Sequence, residues 1–194
     1  MKRIMGLIIG LVLLFGMVSI AQAATGTQDI AVKVTVTAEL SVAVDRNVYN
    51  FGAQSTSVTT VSTQAITVTN DSTSAQESYK LNGTNTSENN WTLASAPALN
   101  TFELRAVFEG TSDTDSPGEA GFDADVDDLA TGAGVYCTAT KFAVDASPDV
   151  QKGINVPTSG VRYLWFLLKT PTSISVGSGS EQTSTVTITA AYPQ

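Results

Sequence analysis

The stretch Ile30-Ala31-Val32-Lys33-Val34-Thr35-Val36-Thr37-Ala38-Glu39-Leu40-Ser41-Val42-Ala43-Val44 has an apolar residue at every even-numbered position. Its odd-numbered positions hold charged, hydroxyl-bearing or small residues. A β-strand is the one regular structure in which alternate side chains point to the same face. The pattern therefore predicts a long strand over residues 30–44, with one face buried and the other facing solvent.

Runs of β-branched and aromatic residues recur along the chain, and Gly, Asn, Asp, Ser and Pro separate them. This profile predicts an all-β fold and a β-sandwich of about eight to ten strands. Beyond the first, the predicted strands are 48–52, 58–70, 77–81, 91–93, 101–109, 135–144, 161–169 and 183–192. An acidic insertion at 110–134 and a long loop at 145–160 interrupt the pattern. We expect one sandwich domain whose insertion forms an acidic loop with a short helix.

The first 23 residues have the features of a secretion signal. Lys2 and Arg3 form a basic start, residues 4–20 are apolar, and Ala21-Gln22-Ala23 is a small-x-small cleavage site. We expect a signal-peptide helix over 1–23, and a mature domain over 24–194 that is secreted to the periplasm or cell surface. The alternative is an uncleaved membrane anchor, because the apolar run is nearly long enough to span a bilayer. After cleavage we expect no membrane association.

The charge of the chain argues against anionic partners. The full sequence has a net charge of −8. Without Lys2 and Arg3, eight basic residues stand against 18 acidic ones, which gives the mature chain a net charge of −10. Such a surface repels nucleic acid and anionic lipid. We therefore expect other surface proteins or further copies of the chain as partners, and no nucleic acid.

Two residue counts limit the chemistry. The chain has no histidine, which excludes Ser-His-Asp and Cys-His catalysis and the common zinc sites as they are usually built. Cys137 is the single cysteine, so no disulfide can form within the chain. We interpret Cys137 as a buried free thiol, with a bridge between subunits as the alternative. These counts, with no residue set that specifies a reaction, predict a protein that is not an enzyme.

A family resemblance covers about residues 34–82. Tyr49-Asn50-Phe51-Gly52, then a strand rich in Ser, Thr and Val, then Thr67-Val68-Thr69-Asn70, resembles immunoglobulin-like modules of the ASPM–SPD-2–Hydin and PapD-like type. Such modules often read Y-x-F-G … V-x-N across their early strands. The resemblance implies an immunoglobulin-like antiparallel β-sandwich with a binding or structural role. The whole chain is also similar to small exported β-rich bacterial proteins of unassigned function.

The insertion contains the best candidate for a metal site. Asp123, Asp125 and Asp127 have the D-x-D-x-D spacing at which alternate carboxylates converge on Ca²⁺, and Asp128 follows them. Asp128 stands where an EF-hand loop needs Gly, and Gly134 stands where it needs a bidentate Glu. A solvated acidic loop is the alternative interpretation, and a carboxylate pair for glycoside hydrolysis is a third. We expect no cofactor other than a possible Ca²⁺ ion.

The segment 161–169 is apolar on both faces of its predicted strand. One face holds Val161, Tyr163, Trp165 and Leu167, and the other holds Leu164, Phe166 and Leu168. Because a sandwich strand normally has one solvated face, this strand needs a second cover. Either the segment 110–160, which includes the insertion, folds over it, or it forms a subunit interface. We take Leu164, Phe166 and Leu168 as interface candidates, together with Val32 and Val34 of the first strand.

The length of the first strand also leaves two interpretations. Either it bends and serves both sheets, or its N-terminal half pairs with a neighbouring subunit by strand addition. We therefore expect a structural or adhesive protein that associates with itself. The alternative is a Ca²⁺- or carbohydrate-binding module. The aromatic residues that suit sugar stacking, unless they pack in the core, are Tyr49, Trp91, Tyr163 and Trp165.

Overall fold

Strands form almost all of the regular structure in the described part of the chain. The computed structural model describes Lys33, residues 39–144 and residues 146–194. The strands are β1 (Val42–Val44), β2 (Thr59–Val61), β3 (Ile66–Asn70), β4 (Ser78–Asn82), β5 (Thr92–Leu93), β6 (Thr101–Phe108), β7 (Val135–Tyr136), β8 (Val161–Lys169) and β9 (Thr187–Ala191). Short 3-10 turns lie at Glu119–Gly121 and Asp149–Gln151. The all-β prediction is confirmed; the predicted signal peptide lies outside the described residues.

The strands form two sheets. The larger has six strands in the order β1-β3-β8-β6-β5, with β2 also paired to β8, and the smaller has the order β7-β4-β9. All pairings are antiparallel except that between β5 and β6. The long strand β8 is the centre of the larger sheet, since β2 and β3 share one of its edges and β6 takes the other.

The single strand predicted over 58–70 is interrupted. Thr59 pairs with Lys169, whereas Ile66 pairs with Leu164, so the register shifts by two residues between β2 and β3. Ser62 bridges the interruption, because its N–H donates to the Phe166 carbonyl at 2.8 Å and its hydroxyl accepts the Phe166 N–H at 3.0 Å. Such a bulge adds residues to one strand without releasing its partner.

Two further predicted strands are corrected. In 135–144 only Val135–Tyr136 is a strand, because the Thr138 hydroxyl accepts the Lys141 N–H at 2.9 Å and holds a turn. Residues 48–52 form no strand, because the Asn50 side chain accepts the Gly52 N–H at 2.7 Å. Polar side chains that bond to nearby backbone replace ladder hydrogen bonds in this way.

The two sheets pack against each other through an apolar inner layer. From the smaller sheet, Tyr79 and Leu81 are fully buried; from the larger, Phe108 and Leu164 are. The rings of Tyr79 and Phe108 lie 5.6 Å apart. The even-numbered residues of β6 and β8 face this layer, as their predicted alternation indicates.

A second apolar layer covers the opposite face of the larger sheet. Val107 of β6 and Trp165 and Leu167 of β8 are fully buried there, packed with Phe122 and Val144 from the segment after β6. The Trp165 indole N–H donates to the Glu109 carbonyl at 3.1 Å. The insertion therefore covers the odd-numbered face of β8, which was one of the two covers expected for it.

Candidate functional site

A large groove opens between the two sheets. Its volume is about 1190 Å³, and the segments 46–56 and 177–184 form much of its rim. Its apolar lining comes from the inner faces of both sheets and includes Val42, Val44, Ile66, Phe102, Leu104, Leu164, Phe166, Leu168, Val186 and Ile188. The groove exceeds the roughly 300–1,000 Å³ of typical small-molecule sites. It is the part of the inner layer that the smaller sheet leaves uncovered.

Strand edges border the groove on both sides. Among the described residues, β9 pairs only with β4 and β1 only with β3. Ile188 and Ala190 of β9 consequently remain half-buried, although Tyr79 and Leu81, their partners on β4, are fully buried. Val44 of β1 is 42% exposed. At both borders, apolar side chains are incompletely covered. The backbone at the outer edge of each of these strands also pairs with no described strand.

The chain is anchored where β1 begins. The Ser41 N–H donates to a carboxylate oxygen of Glu77 at 2.6 Å, and the Asp71 N–H donates to the Ser41 carbonyl at 2.8 Å. Glu77 is fully buried, and burial raises the pKa of its carboxyl group. Ser41 therefore extends the hydrogen-bond ladder between β1 and β3 by one residue. This places the start of β1 at the same end of the sheets as the start of β4.

Aromatic side chains stand at the rim of the groove. The rings of Tyr49 and Phe51 meet edge to face, with centroids 4.9 Å apart. The Tyr49 hydroxyl accepts the Thr63 N–H at 2.7 Å, and the Trp91 indole N–H donates to the Val176 carbonyl at 3.3 Å. Amide side chains line the same groove: Asn47, Asn50, Gln54 and Gln182.

The other two sugar-stacking candidates face away from the groove. Trp165 is fully buried in the outer layer, and Tyr163 packs against that layer. Trp165 therefore has no surface to offer a ligand, and its role is to pack the sheet against the insertion.

The interface candidates of β8 lie on one surface. Leu164 and Phe166 are buried in the inner layer, Leu168 is half-buried, and all three line the groove. Val32 and Val34 lie outside the described residues. The interface prediction stays a prediction, and the β8 residues that it names would be reached through the groove.

The acidic segment uses its carboxylates to hold its own loop. Asp127 is buried and accepts the Phe142 N–H at 2.7 Å and the Asp123 N–H at 2.8 Å. Burial raises the pKa of Asp127 to about 6, against the opposing effect of these hydrogen bonds. Asp123 in turn accepts the Asp125 N–H at 2.8 Å.

Asp128 belongs to an ion network under the insertion. Its carboxylate lies 3.0 Å from the Arg105 Nε, and Arg105 also pairs with Glu103. Lys169 Nζ lies 3.1 Å from Glu103. Glu103 and Arg105 are buried, and burial raises the pKa of Asp128.

The described carboxylates do not converge on an ion. No group of three or more His, Cys, Asp or Glu residues that could hold a metal occurs among the described residues. Asp127 and Asp128 would have to leave backbone and arginine partners to join a four-carboxylate set. The calcium prediction stays a prediction.

Cys137 is a buried free thiol, which confirms its interpretation. Burial raises the pKa of this thiol, so the nucleophilic thiolate is disfavoured. Gly153 packs so close to it that an added Cβ atom would lie 2.9 Å from the Cys137 Sγ. The thiol therefore fills core space.

The chain matches no protein-family model, no curated protein and no solved structure at a significant level. The described residues include no helix with the length and apolar character needed to cross a bilayer. The geometry of the groove and the amino-acid sequence are therefore the features that bear on function.

Sequence reasoning missed the groove itself. In its rim, residues 177–180 read as part of a Ser- and Gly-rich turn region, 183–184 read as the start of the strand 183–192, and 48–52 reads as a strand. The available signal was the aromatic pair Tyr49 and Phe51 next to turn residues, since apolar rings in a turn need a surface to cover.

Proposed function

We propose that this protein is an exported, non-catalytic structural or adhesive β-sandwich of the bacterial periplasm or cell surface that associates with copies of itself. The export signal supports the location, and the residue types support a role without catalysis. The domain is residues 24–194, preceded by the signal peptide 1–23.

An immunoglobulin-like sandwich is the finer fold that we propose. Two sheets with a shared apolar layer support it, as does the resemblance of 49–52 and 67–70 to the early strands of such modules. Thr67–Asn70 falls within β3, a strand of the larger sheet, and Tyr49 packs at the groove rim with its ring 6.5 Å from that of Phe166.

The open groove is the observation that carries the proposal. Val44, Leu168 and Ile188 line the groove and are only partly covered, and incompletely covered apolar surface on a protein generally marks a contact with another molecule. Strand edges without a partner invite the addition of a further strand. Here both features border one groove, and the interface candidates Leu164, Phe166 and Leu168 line it.

Light scattering during size-exclusion chromatography tests self-association of the mature chain. We expect a molar mass that rises with protein concentration above that of the monomer, with and without Ca²⁺. A strict monomer at every concentration would overturn the self-associating function.

A carbohydrate-binding module is the second candidate. The aromatic rings of Tyr49, Phe51 and Trp91 share the groove with four amide side chains, and sugar sites combine such rings with hydrogen-bonding groups. Calorimetric titration with soluble oligosaccharides tests it. Binding that is lost in Trp91→Ala and retained in Tyr163→Ala, whose ring packs against the outer layer, would favour this function over strand addition.

A further inference from the structure

We propose that residues 30–38 of a second copy of the chain lie in the groove as an added strand along the edge of β9 that pairs no described strand. This inference rests on the proposed self-association and names the segment that performs it. Residues 30–38 other than Lys33 lie outside the described residues; the groove and the amino-acid sequence of the segment support the proposal.

The chemistry of the segment matches that of the groove. The even-numbered residues Ile30, Val32, Val34, Val36 and Ala38 supply one continuous apolar face. On the acceptor, Val186, Ile188 and Leu168 line the groove. A strand on the edge of β9 would place its apolar face against these residues and its Lys33, Thr35 and Thr37 side chains outward.

The outward face of β9 is polar, like the outward face of the segment 30–38. Thr187 and Thr189 are exposed, whereas Ile188 and Ala190 turn inward and are half-buried. Added strands succeed when backbone hydrogen bonds supply the affinity and alternate side chains fill pockets. Period-two alternation on both strands meets this condition.

The size of the groove favours a peptide as its occupant. A strand rises about 3.3 Å per residue, so nine residues extend about 30 Å. The five residues of β9 offer a shorter edge than the nine-residue segment, so the segment is long enough to pair with β9 and continue along the groove. A groove of about 1190 Å³ is larger than typical small-molecule sites require.

The start of β1 favours a second copy as the donor. The β1–β3 ladder continues back to Ser41, whose carbonyl accepts the Asp71 N–H. β9 runs toward this same end, since Ala191 pairs with Ser78 at the start of β4. A segment that entered its own groove along β9 would have to reverse direction immediately before β1.

The sequence before β1 has no residues suited to such a reversal. Thr37-Ala38-Glu39-Leu40-Ser41 contains no Gly, Pro, Asn or Asp, the residues that dominate tight turns apart from serine. The period-two alternation also continues through it without a break. The sequence therefore favours pairing of this segment with another copy over its return into its own groove.

This geometry gives each copy one donor segment and one acceptor groove. The two surfaces differ, so the contact is heterologous, and repetition makes an open chain of subunits unless the rotation between copies closes a ring. A fibrous or multimeric assembly is therefore the expected product of the contact.

Engineered disulfides test the proposal in the mature chain with Cys137→Ala as background. Thr35→Cys is placed on the donor segment and Thr189→Cys on β9, each in a separate preparation, and the two are unfolded, mixed, refolded and oxidised. We expect a covalent dimer on a non-reducing gel. The double variant should give a ladder of multimers, and Lys33→Cys or Thr37→Cys in place of Thr35→Cys establishes the register.

The control variant places the acceptor cysteine elsewhere. Thr140→Cys lies in the exposed loop after β7, at the opposite edge of the smaller sheet, and should give no dimer with Thr35→Cys. A double variant that forms only a disulfide-closed monomer would overturn the proposal by placing the segment in its own groove. No disulfide at any of the three donor positions would also overturn it.

Light scattering on the same samples separates the two proposals. If the protein assembles but no donor position links to Thr189→Cys, strand addition fails while the self-associating function stands. If the protein stays monomeric, both fail. A covalent dimer that disappears when Val34→Asp and Val36→Asp are added to the donor would support the apolar contact.

Discussion

The two faces of β8 have nearly equal apolar content and very different surroundings. On the outer face, Trp165 and Leu167 are fully buried beneath the insertion, in contact with Phe122 and Val144. On the inner face, Leu164 and Phe166 are also buried, but Leu168 is half-buried, and all three line an open groove. An apolar strand face therefore requires a cover, but the strand sequence does not specify which part of which chain supplies it. The chain's own insertion covers the outer face, and we propose that a second copy completes the cover of the inner face.

The largest expected effect is on the covered face. Trp165→Ala should lower the free energy of unfolding by about 3–5 kcal/mol, because it leaves a cavity in a packed layer. Urea unfolding of a dilute sample measures it, with Trp165→Phe as the milder control. A loss below about 1 kcal/mol would mean that the insertion does not pack tightly on β8.

The ion network beneath the insertion should be nearly as sensitive. Arg105→Met removes the shared partner of Glu103 and Asp128, which leaves Asp128 without its cation and the buried Glu103 with Lys169 alone. Breaking a buried pair from one side costs about 3–5 kcal/mol. Glu119→Gln, at an exposed position of the same insertion, serves as the matched control for the urea unfolding midpoint. Equal midpoints for both variants would contradict a structural role for the network.

Asp127 should have a smaller, pH-dependent effect. Asp127→Asn replaces one acceptor oxygen by an NH₂ group facing a backbone N–H, which costs about 1–3 kcal/mol at neutral pH. The folded pKa of Asp127, about 6, lies above its ordinary 3.8, so folding favours the protonated form. The stability that this shift contributes is present below about pH 4 and is lost as the pH rises to about 6.

Unfolding curves of wild type and Asp127→Asn, recorded side by side between about pH 3.5 and about pH 7, measure the effect. This range brackets the window of roughly two pH units between the two pKa values. The difference in unfolding free energy between wild type and Asp127→Asn should shrink as the pH rises. A difference that grows over this range would mean that the hydrogen bonds outweigh burial and lower the pKa of the carboxyl group.

On the open face, a substitution should affect assembly more than folding. Leu168→Ala should lower monomer stability by only about 1 kcal/mol, because the side chain is half-buried. It should weaken self-association measurably in light scattering. Leu167→Ala, its neighbour on the covered face, should do the reverse. The comparison between faces breaks down if both variants lose the same stability and assemble alike.

Calcium should have the smallest effect. Because Asp127 and Asp128 already have backbone and arginine partners, we expect millimolar CaCl₂ to leave Tm unchanged. Differential scanning calorimetry checks this, with MgCl₂ as the ionic control. A rise in Tm that Asp123→Ala with Asp125→Ala removes would instead support a calcium-binding module.

Much of the fold could be predicted because period-two alternation reports directly on strands. The ranges of β6 and β8 match the predicted 101–109 and 161–169 to within a residue, and two apolar faces on 161–169 indicated two covers. Periodicity could not predict the local hydrogen bonds between polar side chains and nearby backbone. The Thr138 and Asn50 turns ended strands that the β-branched and aromatic residues favoured.

Long-range partners explain the rest of what the sequence could not predict. Alternation in β6 places Glu103 and Arg105 on the face opposite to Phe102 and Leu104, which reads as a solvated face. Both residues are buried because the insertion brings Asp128 onto Arg105 across 23 sequence positions. The same folding gives Asp127 and Asp128 backbone and arginine partners, and the rim of the groove is formed by loops with no periodicity of their own.

Hydrogen exchange of β9 tests the central claim most directly, because it reports on the edge that the account leaves open. The backbone N–H groups of Thr187–Ala191 that point away from β4 should exchange rapidly in a dilute, monomeric sample. At concentrations where light scattering detects assembly, the same groups should become protected. Protection that is already complete in the monomer, or absent in the assembly, would contradict strand addition by a second copy.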